Sequence, residues 1–219
     1  QGPVLIHSKE DQMIVLKTER DLVLMRPACE VASNVLEKVA AFIRPGVTTR
    51  DIDQFAAQQI KGYGAKSAFL GYRKYPCHLC ISVNEQVVHG LAGDRRVEFG
   101  DIISLDCGVT YNGFIGDTAT TVAVGGCGVA AQRLMDVTES ALYEGIAKAV
   151  LGNRVIDISR AIQNYVEGNG FSVVREFVGH GVGRSMHEDP QIPNFVEKGS
   201  SPKLKVGMTL AIEPMVNVG

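Results

Sequence analysis

The sequence has no tryptophan, and its aromatic residues total only 6%. No apolar run approaches the length of about 18 residues that a membrane-spanning helix needs. The start of the chain carries no basic-then-apolar leader of the secretory kind. An excess of either charge is also absent, since 22 Lys and Arg against 24 Asp and Glu leave a formal net charge of −2. That balance argues against a general binder of nucleic acid or anionic membrane and leaves open only a local basic patch. Cys29, Cys77, Cys80, Cys107 and Cys127 are an odd number of cysteines in a chain of 219 residues. A secreted disulfide framework is therefore not expected, and free thiols in a reducing cytoplasm fit better. Neither G-x-S-x-G nor G-x-x-x-x-G-K-[ST] occurs, so there is no nucleophile elbow and no phosphate-binding loop of those types.

Apolar residues make up 45% of the chain and charged ones 21%, which predicts a packed core. Gln1-Gly2-Pro3 resembles the remnant of a tag-cleavage site, and the first methionine is Met13. Residues 1–12 are accordingly set aside, and one domain is expected over 13–219. Val218-Gly219 follows directly on a strand-like apolar run, so a further piece of the domain is expected beyond it.

The chain repeats itself. Gly46-Val-Thr-Thr-Arg-Asp51-Ile52 aligns with Gly152-Asn-Arg-Val-Ile-Asp157-Ile158 at an offset of 106, and Gly62-Tyr-Gly64 aligns with Gly168-Asn-Gly170 at the same offset. Each copy reads as a turn glycine, an Asp at a helix N-cap, a short amphipathic helix and a glycine C-cap. A longer helix precedes each copy, with a stripe Val31, Val35, Leu36, Val39, Phe42, Ile43 in one and Leu134, Val137, Ala141, Ile146, Val150 in the other. Late in each half, Phe99-Gly-Asp-Ile-Ile-Ser-Leu-Asp106 parallels Val206-Gly-Met-Thr-Leu-Ala-Ile-Glu213 at an offset of 107, and each phrase ends in a carboxylate on an apolar strand. The predicted fold is α+β, with halves of about 18–125 and 129–219 joined at Gly125-Gly-Cys-Gly128 and an antiparallel sheet backed by helices.

Asn112-Gly113 between β-rich runs predicts a two-residue hairpin turn of type I′. Paired positions then sum to 225, so Asp106 faces Ala119, Asp117 faces Gly108, and the two carboxylates share one sheet face as diagonal neighbours. Like charges on an apolar strand pair call for a neutralising cation. Gly179-His180-Gly-Val-Gly183-Arg-Ser-Met-His187-Glu188 is a glycine-rich loop with one histidine for a metal and one for a substrate. His89 adds little alone. Asp106, Asp117, His180 and Glu213 form a hard O/N set that suits Mn, Fe, Co or Zn better than Ca. Cys77-x-x-Cys80 supplies only half a zinc site and precedes a strand, so it is read as packing or pocket thiols. Glu197–Lys205 is read as a solvated loop.

The phrases Val87-Val-His89-Gly, Ser104-Leu-Asp106-Cys-Gly, Gly116-Asp117-Thr-Ala-Thr, Gly179-His180-Gly-Val-Gly-Arg184, His187-Glu-Asp-Pro190 and Ile212-Glu213-Pro-Met-Val-Asn217 resemble those of the methionine aminopeptidases, in the family's order from about Thr18 to the end. With Glu213 only 33 positions after His180, the compact type I form is the better match. The resemblance implies the pita-bread fold and two divalent metal ions (Co, Mn, Fe or Zn). It implies removal of the initiator methionine from nascent polypeptides with a small second residue, by a hydroxide shared between the metals. Asp106 and Asp117 would bind the first metal, with Asp117 bridging. His180 and Glu213 would bind the second, and Glu213 would also shuttle the proton. His89 and His187 would hydrogen-bond the scissile peptide and the tetrahedral intermediate. Phe69, Tyr72, Tyr75, Cys80 and Met186 would line the methionine pocket, Met186 standing where the family carries an aromatic.

By the same resemblance a last bridging Glu would follow residue 219, so the chain as it stands is expected to bind metal weakly and turn over poorly. A cytoplasmic monomer meeting nascent chains near the ribosome, with no membrane and no direct reading of nucleic acid, completes the expectation. Two alternatives stand beside it: an X-Pro aminopeptidase or prolidase, and a non-catalytic pita-bread binding protein.

Overall fold

A computed structural model describes residues 13–219; the suspected cleavage remnant at residues 1–3 lies outside the described residues. Helix α1 (Glu19–Phe42) and helix α2 (Thr49–Gly62) lead into strands β1 (Lys66–Ser67), β2 (Cys80–Val83), β3 (Ile102–Tyr111) and β4 (Phe114–Ala123). Helices α3 (Val129–Ile146) and α4 (Val155–Gly168) open the second half. Strands β5 (Ser172–Val173), β6 (Gly179–Gly181), β7 (Glu188–Ile192), β8 (Leu210–Ala211) and β9 (Val216–Asn217) complete it. All pairings are antiparallel. The first half holds one four-stranded sheet, and the second holds two smaller pieces, β7-β6-β8 and β5-β9.

The repeat is physical. Helices α2 and α4 are both 14 residues long and start 106 residues apart. Gly46 and Gly152 both have φ +94°, and Gly64 and Gly170 both take positive φ just past the helix ends. Thr48 bridges Arg96 where Arg154 bridges Lys203, offsets of 106 and 107. The predicted Asp N-caps are corrected: the cap of α2 is Thr48, and Asp51 sits at the third helical position. There its carboxylate takes the Thr48 N–H at 2.8 Å while the Thr48 hydroxyl oxygen takes the Asp51 N–H at 3.1 Å. Helix α1 starts with the same reciprocal pair, Thr18 and Asp21, a capping box in both cases. In α4 the cap position is Arg154, whose N–H Asp157 accepts at 2.8 Å. The second long helix is also shorter than predicted. Val150 lies beyond it, and both Val150 and Ile146 are exposed. Leu204 is buried, so the stretch from Glu197 is solvated only in its first part.

The Asn112-Gly113 turn has positive φ at both residues, 51° and 78°, as type I′ requires. The register follows, Asp106 opposite Ala119 and Gly108 opposite Asp117. Along β3 the odd positions Ile103, Leu105, Cys107 and Val109 are fully buried against Val35, Val39, Ile52 and Ala56 of the two helices. The even positions, Asp106 among them, therefore face the other way. A second core packs α3 and α4 around Ile158, Ile162 and Ile192. A third, smaller cluster joins the halves on the sheet face that Asp106 shares.

Ile52 and Ile158 are equivalent in the repeat and both fully buried, one in each large core. Truncating either to Ala is expected to cost about 2–5 kcal/mol, and the two costs should add, because the sites share no neighbours. Urea unfolding of both single variants and the double variant checks this.

Candidate metal centre and substrate pocket

His180 is carried by β6, a strand rather than the predicted loop, where it pairs with Ala211 of β8 and Gln191 of β7. Its Nδ1 lies 2.8 Å from the Gly181 carbonyl oxygen. A carbonyl only accepts, so Nδ1 holds a proton, and Nε2 is the ring nitrogen turned toward the site and open to a metal. That Nε2 is 3.2 Å from Glu213 Oε1 and 3.6 Å from Asp117 Oδ2. The Glu213 oxygen is buried and has no hydrogen-bond partner. Glu213 sits two residues past β8 with its side chain a third exposed, not inside a buried strand as its sequence context predicts. Asn194, fully buried, donates to the Glu213 carbonyl at 2.9 Å and so fixes that turn.

Asp106 lies on the same face as Asp117, within hydrogen-bonding reach of it. Burial raises both carboxyls. Asp106 goes well above the usual range, helped by the charge of Asp117; Asp117 is pushed up to about 7, helped by the charge of Glu213. For His180, burial acts downward but is outweighed by Glu213, the Gly181 carbonyl and Asp117, so its net shift is upward. Asp117, His180 and Glu213 each aim one ligand atom into a space where all three lie within 4.8 Å of one another. The centre is thus a cluster of acceptors that face each other with no donor among them. A divalent cation satisfies every one of these atoms, whereas a proton on His180 satisfies only one direction, so the donor set fits a metal.

The predicted pocket residues come together. Phe69, Cys80 and Met186 are buried in one cluster with Met25, Phe114, Ile115 and Val182, and Tyr72 and Tyr75 pack on it. Cys80 stands opposite Asp106 in the sheet, so the pocket wall and the acidic pair are neighbouring columns of one face. A Cβ on Gly108 would press 2.6 Å from the Phe69 ring, so this position must be glycine for the pocket wall to close. The Tyr75 hydroxyl is 2.7 Å from the Gly90 carbonyl oxygen and 3.1 Å from that of Leu79. All five cysteines are free, and Cys77 is buried beside the pocket as a packing thiol.

The His187 ring lies 4.3 Å from the His180 ring, tilted by 54°, and its Nδ1 is 2.7 Å from the Tyr72 hydroxyl. Burial, then the charge of His180, lowers it to about 4. Burial lowers His89 as well. His89 has φ +58°, an uncommon conformation for a side-chain-bearing residue, and the Phe177 ring meets it edge-on at 5.3 Å.

Sequence reasoning missed three supporting residues. Phe177 is one. Another is Asp53, whose carboxylate takes the N–H groups of His78 and Leu79 at 2.7 and 2.9 Å and the His78 ring at 3.0 Å, tying α2 to the segment before Cys80. The third is Lys17, which forms a buried ion pair with Glu188. An Asp amid the apolar stripe of α2 was the one available signal; Lys17 offered none.

Comparison with known proteins places the chain in a family. A profile of metallopeptidase family M24 matches residues 23–219. A methionine aminopeptidase of Clostridium perfringens is 50% identical over 207 residues, 94% of this chain and 83% of that protein. Methionine aminopeptidase 1 of Bacillus subtilis is 48% identical over 94% of this chain and 84% of its own. Among solved structures, the methionine aminopeptidase of Rickettsia prowazekii superposes with a TM-score of 0.91 at 37% identity, covering 94% of this chain and 84% of that one. The prolidase of Pyrococcus furiosus shares the fold, with a TM-score of 0.79 at 24% identity, but this chain covers only 57% of it. No helix among the described residues is long and apolar enough to cross a membrane. The pita-bread architecture and this extent of likeness agree: the chain belongs to metallopeptidase family M24 and, within it, to the methionine aminopeptidases.

Proposed function

We propose that the chain removes an N-terminal methionine from polypeptides whose second residue is small. The observation that carries this is the convergence of Asp117, His180 and Glu213 beside the apolar cluster of Phe69, Cys80 and Met186. Asp106, Asp117, His180 and Glu213 would together hold two divalent cations from among Mn, Fe, Co and Zn. Bound there, such cations supply Lewis acidity and bring the pKa of a coordinated water from 15.7 to about 7.

The chain's own groups do the rest. The thioether of the substrate lies among Phe69, Tyr72, Tyr75, Cys80 and Met186, an apolar and aromatic surround that a polarizable sulfur favours. His187 is neutral at pH 7 because its pKa sits near 4. With the Tyr72 hydroxyl donating to its Nδ1, its Nε2–H is free to donate to the oxygen that gains charge as the peptide carbonyl is attacked. His89, also kept neutral by burial, is held by Phe177 to meet the peptide from the other side. Glu213, a third exposed and with Oε1 turned toward His180, would hold a metal on that oxygen and could carry a proton to the leaving amine on the other. The natural substrates are newly made chains met near the ribosome, and the enzyme works on them as a cytoplasmic monomer.

Asp117→Ala in the metal-replete full-length protein is expected to lower turnover of a Met-Ala-Ser peptide at least about 1,000-fold while leaving the circular-dichroism spectrum intact. Cleavage of X-Pro but not Met-Ala peptides would overturn the assignment.

A second expectation concerns the metal-free protein. An acid whose folded pKa lies above its unfolded one holds an extra proton in the native state, so stability falls as pH rises between the two values. For Asp117 that window runs from 3.8 to about 7. In chelator at about pH 8, Asp117→Asn should therefore melt higher than the unsubstituted protein, and the gap should close near about pH 4. Adding Mn(II) should reverse the order by raising only the unsubstituted protein. Thermal melts across pH, with and without metal, read all three effects.

A further inference from the structure

Lys17 precedes α1, in an extended stretch with no strand partner, yet its side chain is only 4% exposed. Its backbone N–H donates to the Gly207 carbonyl at 2.7 Å, and its ammonium donates to the Val15 carbonyl at 3.2 Å and pairs with Oε2 of Glu188. The Glu188 side chain is 10% exposed, and its other oxygen takes the N–H groups of Arg184 and Ser185 at 2.9 and 3.1 Å. One carboxylate, neutralised by one buried ammonium, thus gathers the whole turn from Gly183 to Glu188. The turn is pinned at its start as well, because the Gly183 carbonyl accepts the Ile115 N–H of β4 at 2.8 Å. Any side chain on Gly183 would strike Lys17 Cε at 2.5 Å and Glu188 Oε1 at 2.7 Å, so the turn closes directly onto the pair.

His187 is the residue immediately before Glu188, inside this turn. Its ring lies 4.3 Å from His180 and 2.7 Å from the Tyr72 hydroxyl, and the turn that carries it is held by burial of Met186, by the pairing of Glu188 with Gly181 and, across its whole width, by the Glu188 carboxylate. We propose that Lys17 and Glu188 are positioning residues that hold His187 against the substrate, so that the stretch ahead of α1 belongs to the active-site machinery. This rests on the role given to His187 above. The pair's own hydrogen bonds go to backbone groups of the turn and of Val15, not to the acceptor cluster. Met186 shares the turn but is held independently by burial with Met25, Phe114 and Ile115, so loosening the pair acts first on His187. A shift of about 1 Å in such a group costs on the order of 100-fold in rate.

Glu188→Gln is the sharpest test, since an amide offers one oxygen where the carboxylate offers two. Either Lys17 or the two backbone N–H groups must lose their acceptor. In the metal-replete full-length protein, Glu188→Gln and Lys17→Met are each expected to lower kcat for Met-Ala-Ser about 10- to 100-fold, with KM changed less than about twofold and metal content unchanged. On a His187→Ala background, Glu188→Gln should change kcat less than about twofold further, because it acts through the missing ring. Wild-type kcat in Glu188→Gln, or a full independent loss on the His187→Ala background, would overturn the proposal. If Lys17→Met does not fold, Glu188→Gln and its cycle with His187→Ala decide alone. Wild-type kcat in His187→Ala would sink the earlier assignment of that histidine instead, so the two failures are distinguishable.

Discussion

The structure turns on three acceptor atoms that have no donor between them. Nε2 of His180, Oε1 of Glu213 and Oδ2 of Asp117 meet in a covered space, and Asp106 adds a further carboxyl against Asp117. Two neighbouring carboxyls raised by burial are a cost to the metal-free fold, since the interior disfavours their charged forms. Among the described residues the fold accepts this cost at one place, where both halves contribute. Asp106 and Asp117 come from the hairpin of the first half, and in the second His180 comes from β6 and Glu213 from the segment just past β8. Neither half could assemble the cluster by itself.

The duplication explains the geometry. Asp106 and Glu213 occupy matching places in the two phrases, 107 residues apart. Across the strand pairs the match also holds: Ser82 faces Ser104 in the first half, and His180 faces Ala211 in the second, again with partners 107 apart. So His180 fills the position that the first half gives to a buried serine hydroxyl. In the first half that hydroxyl oxygen takes the Gly90 N–H at 3.1 Å and helps set the segment of His89. One scaffold position thus serves backbone support in one copy and a ligand atom in the other. The repeat is close in its turns and helix starts, where local hydrogen bonding decides, and loose in its side chains, where each copy has its own task.

What was legible in the sequence follows the same division. Period and turn chemistry gave the hairpin register, because Asn112-Gly113 admits one two-residue turn and that turn fixes every pairing from Ile102 to Ala123. They also gave the helices and the repeat, since Gly46 and Gly152 announce the same backbone conformation. The capping residues were misplaced by three positions because Asp serves equally well as the cap or as the partner that reaches back to it, and composition does not separate the two. Glu213 read as a buried strand residue because Leu210, Ala211 and Ile212 precede it, although the strand stops at Ala211. The site residues were legible where glycines or proline flanked them. Lys17 was not: nothing local marks a lysine as buried, and its partner lies 171 positions away.

That last gap has a physical lesson. A long-range ion pair is invisible to any local pattern, because the chain between its ends is indifferent to it. What it does require is room, and glycine at position 183 supplies the room. Read from the sequence, Gly179, Gly181 and Gly183 permit a tight backbone as well as close approach to a ligand. In the structure they meet three different neighbours: the Ala211 carbonyl of β8, the backbone of Asp189 and the side chain of Lys17. The glycines of the histidine segment therefore serve the framework more than the substrate. They let a neighbouring strand, the turn's own return and a remote lysine close around one short stretch of chain, so that His180 and His187 are carried by a backbone with little freedom to move. Precision at the two rings comes from that enclosure, and the side chains facing the cleft only make use of it.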